Sequence, residues 1–144
     1  MKNDEQRVIV GGHGDRYGIT VEMDQEIIHQ TNEQFWNTKG NDDIGCLALP
    51  LYGAFISEEK CQLLGDLTNQ KVLDICCGTG HSLLYVGEKK TSELWGIDIS
   101  QDQLNKAEAL LSNNDLKANF ICSPMEKECG LPLNYFDTVY SVYG

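Results

Sequence analysis

The sequence predicts an α/β fold built on a parallel sheet, and three observations carry that expectation. From Lys71 onward, short apolar runs alternate with amphipathic stretches at about 20–25 residues per unit. The first run leads straight into a glycine turn, Cys77-Gly78-Thr79-Gly80, and then a helix. Two of the runs carry a carboxylate at their C-terminal ends, Asp74 and Asp98.

In chain order, Val8-Ile9-Val10 reads as a short strand and Gly11-Gly12-His13-Gly14 as a loop. A helix fits Asp24 to Trp36, with Ile27, Ile28, Thr31, Phe35 and Trp36 roughly on one face. Asn41-Asp42-Asp43 and Pro50 mark a loop. Ser57 is a good N-cap, with Glu58 and Glu59 in a first turn, and that helix is expected to reach Leu64 and stop at Gly65. The readable half follows: a strand at Val72–Ile75, a helix from Gly80 to Gly87 and a strand at Leu94–Asp98. Ser100 and Gln103 form a capping box that starts a helix with Leu104, Ala107 and Leu111 on one stripe. A third strand fits Ala118 to Cys122 and a fourth Asp137 to Tyr143. We divide the chain into an N-terminal segment, 1–45, with one helix, and an α/β domain over 46–144.

The bulk properties fit a soluble protein. Of the 144 residues 41% are hydrophobic, and no apolar run reaches the roughly 18 residues a membrane span needs. No signal-peptide pattern follows Met1, so a cytoplasmic location is expected. The net charge of -11 disfavours nucleic acid and membrane partners, because phosphates and anionic headgroups are repelled. Six cysteines include the vicinal Cys76-Cys77, form no CxxC pair and have no ligand-like spacing to the histidines. They read as reduced thiols, with no metal site.

The chemistry-bearing stretch is Val72-Leu73-Asp74-Ile75-Cys76-Cys77-Gly78-Thr79-Gly80-His81. A dinucleotide site wants G-x-G-x-x-G with pyrophosphate on the helix N-terminus, but Leu83 stands where the third glycine belongs. A carboxylate four residues before Gly78 repels pyrophosphate and suits a ligand with a cationic end. Asp98, 24 residues after Asp74, is placed to accept ribose hydroxyls.

This arrangement resembles the motif hhD-x-G-x-G-x-G and the following acidic position of class I, Rossmann-like, S-adenosylmethionine-dependent methyltransferases. The resemblance covers Lys71 to Gly144, with Asp74, Gly78, Gly80 and Asp98 matching by position. It implies S-adenosylmethionine as cofactor and a Rossmann-like parallel sheet with flanking helices. It also implies that Asp74 orients the methionine end over the backbone of Cys76 to Gly80, that Asp98 binds the ribose and that Ile99 packs on adenine. Cys122-Ser123-Pro124-Met125-Glu126 resembles the adenine-edge segment, with Met125 an apolar lid, and the strand around Tyr140 resembles the one whose end faces the reacting methyl. Two positions depart from the pattern: Cys76 replaces the first glycine, and Ser123 stands where an aspartate often accepts the adenine amino group. No catalytic residue is identified, and His81 reads as packing near the loop.

Because the family's sheet has seven strands, the chain is expected to be an N-terminal part, truncated after the fourth, with an exposed edge open to self-association. Three functional readings follow: a methyltransferase acting on a small-molecule acceptor, a non-catalytic cofactor-binding or interaction module, and an NAD-type oxidoreductase. Leu83 and Asp74 disfavour the last.

Overall fold

The computed structural model describes residues 7–10, 19–22, 24–39, 50–53 and 56–142. The expected loops at Gly11–Gly14 and Asn41–Asp43, together with Tyr143, lie outside them. Strands β1 (Arg7–Val10) and β2 (Ile19–Glu22) pair antiparallel, and helix α1 spans Gln25–Lys39. A small antiparallel pair, β3 (Leu51–Gly53) with β4 (Ile56–Ser57), precedes the one-turn helix α2 (Glu58–Cys61). Then come β5 (Lys71–Ile75), α3 (His81–Gly87), β6 (Glu93–Asp98), α4 (Gln101–Ser112), β7 (Asn119–Cys122) and β8 (Thr138–Tyr140).

The last four strands form one fully parallel sheet in the order β7-β6-β5-β8. The expected α/β class and all four strands are therefore present, each boundary within a few residues of its predicted place. Reversal of the strand order at β5 opens a crevice beyond the C-terminal strand ends, where open α/β sheets bind ligands. β8 pairs with β5 alone among the described residues, and its Val139 is exposed.

Packing explains the glycines. Leu104, Ala107 and Leu111 of α4 are all buried, as their spacing predicts, and join Val72, Leu83, Val86 and Leu94 in the core. Gly80, at φ 79°, sits where α3 crosses α4, and a Cβ there would lie 2.8 Å from the Cβ of Ala107. Its missing side chain therefore serves helix approach, with Ala107 as the small partner. Gly96 plays the same part inside β6: a Cβ would meet Cys77 Sγ at 2.7 Å and Leu83 and Phe120 at 3.0 Å.

Three local expectations are corrected. The helix begun at Ser57 ends at Cys61 rather than Leu64, because Gln62 turns left-handed at φ 50°. Ser57 makes no capping hydrogen bond; the buried Glu58 carboxylate instead accepts from the amides of Leu63 and Leu64 and from the Tyr52 hydroxyl. Those three donors offset the cost of closing a carboxylate inside the fold. The capping box is half formed: the Ser100 hydroxyl accepts from the Gln103 amide, while the Gln103 side chain donates to the Trp36 carbonyl of α1. Finally, Ile27, Phe35 and Trp36 of α1 are exposed, and the face turned inward carries His29.

The fourth strand is anchored at its start. Asp137 accepts from the Lys71 amide, and Tyr135 donates to Glu93. Trp95, Tyr135 and Phe136 stack edge to face, with the Lys71 ammonium 3.8 Å from the Tyr135 ring centre. These contacts bring β8 alongside β5 and hence Tyr140 opposite Asp74.

Replacing Gly80 by alanine combines an unfavourable left-handed φ with overlap against the α4 backbone. Gly80→Ala is expected to lower unfolding free energy by about 2–4 kcal/mol in urea melts. Gly65→Ala, also left-handed but with nothing within 4 Å of its added Cβ, should cost about 1 kcal/mol.

Candidate functional site

The crevice at the C-terminal ends of β5, β6 and β7 gathers most residues singled out from sequence. Asp74, on β5, is 2% exposed, and among the described residues no cation lowers its pKa. Burial pushes its carboxyl pKa up to about 8, and the nearby Asp98 pushes in the same direction. Across the strand pair, the buried Tyr140 hydroxyl lies against the Asp74 carboxyl without a bond of regular hydrogen-bond geometry; its closeness partly offsets the rise at Asp74, while burial followed by the Asp74 charge raises the phenol's own pKa. An acid held neutral and the phenol against it form a polar patch in an apolar wall.

Asp98 is handled differently. Its Oδ2 accepts from the Gly78 amide at 2.9 Å and its Oδ1 from the Ser100 amide at 2.9 Å. These bonds fix the carboxylate while leaving each oxygen a further acceptor site. They also hold the glycine turn against β6, helped by the Cys77 amide donating to the Ile97 carbonyl.

Cys76 occupies the first glycine position of the motif at φ 59°, a left-handed conformation that glycine adopts without penalty. Its thiol lies 3.7 Å from the Met125 thioether, so the segment after β7 reaches back to the glycine turn. Burial raises both vicinal thiols, Cys77 the more strongly, and the surrounding carboxylates add to it. Neutral thiols are poor nucleophiles, and Cys61, Cys76, Cys77, Cys122 and Cys129 are all unpaired. Among the described residues no group of His, Cys, Asp or Glu is placed to hold a metal ion.

Ile99, Ser123 and Pro124 line a second part of the crevice, a cleft of about 250 Å³ closed on its far side by His29 and Glu33 of α1. The Ser123 hydroxyl donates to the Pro124 carbonyl and its amide to the Asp98 carbonyl. His81 hydrogen-bonds Thr79 within the glycine turn, away from this cleft. A slightly larger cavity, about 290 Å³, lies at the other end of the domain beside Glu58, Leu67 and Tyr85 and contains none of the predicted site residues.

Sequence reasoning missed the role of α1. His29 Nε2 meets Glu126 Oε1 at 2.5 Å, Lys127 reaches Glu26 at 3.3 Å, and the Ser100 hydroxyl donates to Asn37. With the Gln103 bond to Trp36, these contacts lay α1 over the cleft from both sides. Trp36, grouped by sequence with the apolar face of this helix, is 41% exposed and contributes its carbonyl here. The signal for these contacts was absent locally, since His29 and Glu126 are 97 residues apart.

A parallel sheet ordered β7-β6-β5-β8, with acids ending β5 and β6 around a glycine turn, defines a class I, S-adenosylmethionine-dependent type of methyltransferase fold. The model of the methyltransferase domain matches residues 72–144, and the chain belongs to that family. Phosphoethanolamine N-methyltransferase of Plasmodium falciparum is 40% identical over 90 residues, covering 58% of this chain and 32% of the relative. The tRNA U34 carboxymethyltransferase of Actinobacillus succinogenes is 37% identical over 81 residues, covering 55% of this chain and 25% of its own. The chain thus spans a third or less of these relatives' length. A methyltransferase structure from Aquifex aeolicus superposes with a TM-score of 0.51 over 83% of this chain and 57% of that one, at 20% identity, a likeness of fold.

Two outcomes follow from the crevice chemistry. The folded pKa of Asp74, about 8, lies above its ordinary value of 3.8, so the native state holds the extra proton between the two. Unfolding free energy should therefore fall as pH rises from about 4 to 8 and then level off, and Asp74→Asn should flatten that slope in melts across the range. Cys76→Gly relieves the left-handed strain, whereas Cys76→Val adds a β-branched side chain to it. The two variants should differ by about 2 kcal/mol or more in urea melts, with the glycine variant the more stable.

Proposed function

We propose that the chain binds S-adenosylmethionine in this crevice and forms the cofactor half of a methyltransferase that acts on a small-molecule acceptor. The observation that carries the reading is the pair of buried carboxylates, Asp74 and Asp98, flanking a glycine turn, with no cation acting on Asp74 among the described residues. A ligand with a cationic amino-acid end and a ribose supplies what each acid lacks.

In this reading Asp74 and the Tyr140 hydroxyl hold the methionine end, directly or through water, over the backbone of Cys76, Gly78 and Gly80. Asp98, preset by the Gly78 and Ser100 amides, accepts from the ribose. Ile99 and Pro124 pack on the adenine beside Ser123, with Met125 closing the site over Cys76. The bound cofactor supplies a methyl group on a positively charged sulfur, and its transfer needs chiefly position and exclusion of water. The apolar sheet end and the roof formed by α1 provide both. The net charge of -11 supports a small acceptor over a polyphosphate, although a tRNA enzyme stands among the relatives. A cytoplasmic location agrees with the absence of any membrane-spanning helix among the described residues.

Calorimetric titration with S-adenosylhomocysteine tests the assignment. Saturable one-site binding is expected, lost in Asp98→Ala and weakened about tenfold or more in Asp74→Asn. Affinity should climb as pH rises toward about 8, because the unliganded Asp74 carboxyl must release its proton to meet a cation. A folded chain that binds nothing, or binds equally well without Asp98, would refute the site.

A further inference from the structure

We propose that His29, on α1, is a specificity-determining residue of the adenine subsite: its Nδ1 accepts a hydrogen bond from the exocyclic amino group of the base. The inference rests on the cofactor reading above and adds a residue from outside the family motif.

Four observations support it. His29 is 6% exposed, lines the cleft with Ile99, Ser123 and Pro124, and its Nδ1 is buried without a hydrogen-bond partner. Such an atom costs free energy until something fills its bonding capacity. The other ring nitrogen, Nε2, is committed to Glu126. That glutamate's own backbone and the His29 ring hold its carboxyl below the usual range, so it is an acceptor and Nε2 carries the shared proton. With Nε2–H directed at Glu126, Nδ1 is the lone-pair nitrogen of the tautomer that this contact selects, suited to an N–H donor. Lastly, Ser123, the position from which an acid would reach the adenine amino group, turns its hydroxyl to the Pro124 carbonyl. On the strand side the position carries a hydroxyl already turned to a carbonyl in place of a carboxylate, and on the helix side the partnerless Nδ1 of His29 is an acceptor.

Adenine presents an amino donor at the position where hypoxanthine presents a carbonyl oxygen. An acceptor at His29 discriminates between them, favouring the first and opposing the second. Glu126 acts as a positioning residue, since it selects the tautomer and holds the ring in the cleft.

The test compares S-adenosylhomocysteine with S-inosylhomocysteine on the wild-type chain and on His29→Phe, His29→Gln and Glu126→Gln, with circular dichroism confirming the fold of each. Other contacts to the base also change between the two ligands, so the quantity read is the change in their affinity ratio on mutation. The ratio in favour of adenosine should fall about tenfold or more in His29→Phe, mostly through weaker adenosyl binding, and partly recover in His29→Gln, which restores an acceptor. Glu126→Gln should lower it by a smaller factor. An unchanged ratio in a folded His29→Phe overturns the inference while leaving the cofactor site standing. Failure of the wild-type chain to bind either ligand overturns the cofactor reading and the inference with it.

Discussion

A carboxyl group closed inside an apolar sheet is the constraint around which this domain is arranged. Asp74 sits in an inner strand of a four-stranded parallel sheet, with Gly96 and Tyr140 in register on either side, and is 2% exposed, so a charge there is expensive. The unliganded chain meets that cost by holding the proton. The polar side-chain neighbour of Asp74 on β8, the Tyr140 hydroxyl, lies against it without a bond of regular hydrogen-bond geometry. Glu58, the other deeply buried acid, has three donors and serves the architecture alone. Glu58 thus has its acceptor capacity filled by the chain itself, whereas Asp74 retains capacity that no regular hydrogen bond fills among the described residues.

Around Asp74 the remaining elements have defined tasks. Asp98 ties the glycine turn to the next strand through two backbone amides. Gly80 and Ala107 let α3 and α4 approach closely enough to seat that turn. The cluster of Trp95, Tyr135 and Phe136 sets β8 in register, so Tyr140 meets Asp74 and not another residue. Cys76 works against its local backbone, at φ 59°, where the motif has a glycine.

The sheet and its crevice were legible because they obey local rules. Val72–Ile75 and Leu94–Asp98 are short apolar runs ending in acids, and Ser100 announces a helix start three residues before its partner amide. The Leu104, Ala107 and Leu111 stripe follows directly from helical periodicity. What the sequence hid is non-local or conditional. Nothing near Glu58 shows that its carboxylate will cap the chain five and six residues on and so shorten its own helix. Gln103 matched a capping box by spacing, yet the Ser100 amide it would accept from donates to Asp98, and the Gln103 side-chain NH2 donates to the Trp36 carbonyl of α1. The apolar residues of α1 implied a buried stripe, but the helix docks by its polar side, which periodicity of apolar residues cannot reveal.

That polar docking of α1 separates the integrity of the fold from access to its interior. The helix is fastened by hydrogen bonds and ion pairs to α4 and to the segment after β7, while Ile27, Phe35 and Trp36 point outward and bury little against the sheet. Lifting it exchanges those bonds for bonds to water and leaves the aliphatic core between α3, α4 and the strands untouched. Such a segment belongs to the low-stability end of the molecule's spectrum of openings, so its amides should exchange hydrogen well before those of β5 and β6. Access to the cleft beneath α1 is thus set by a few polar contacts, and integrity of the sheet by its aliphatic core.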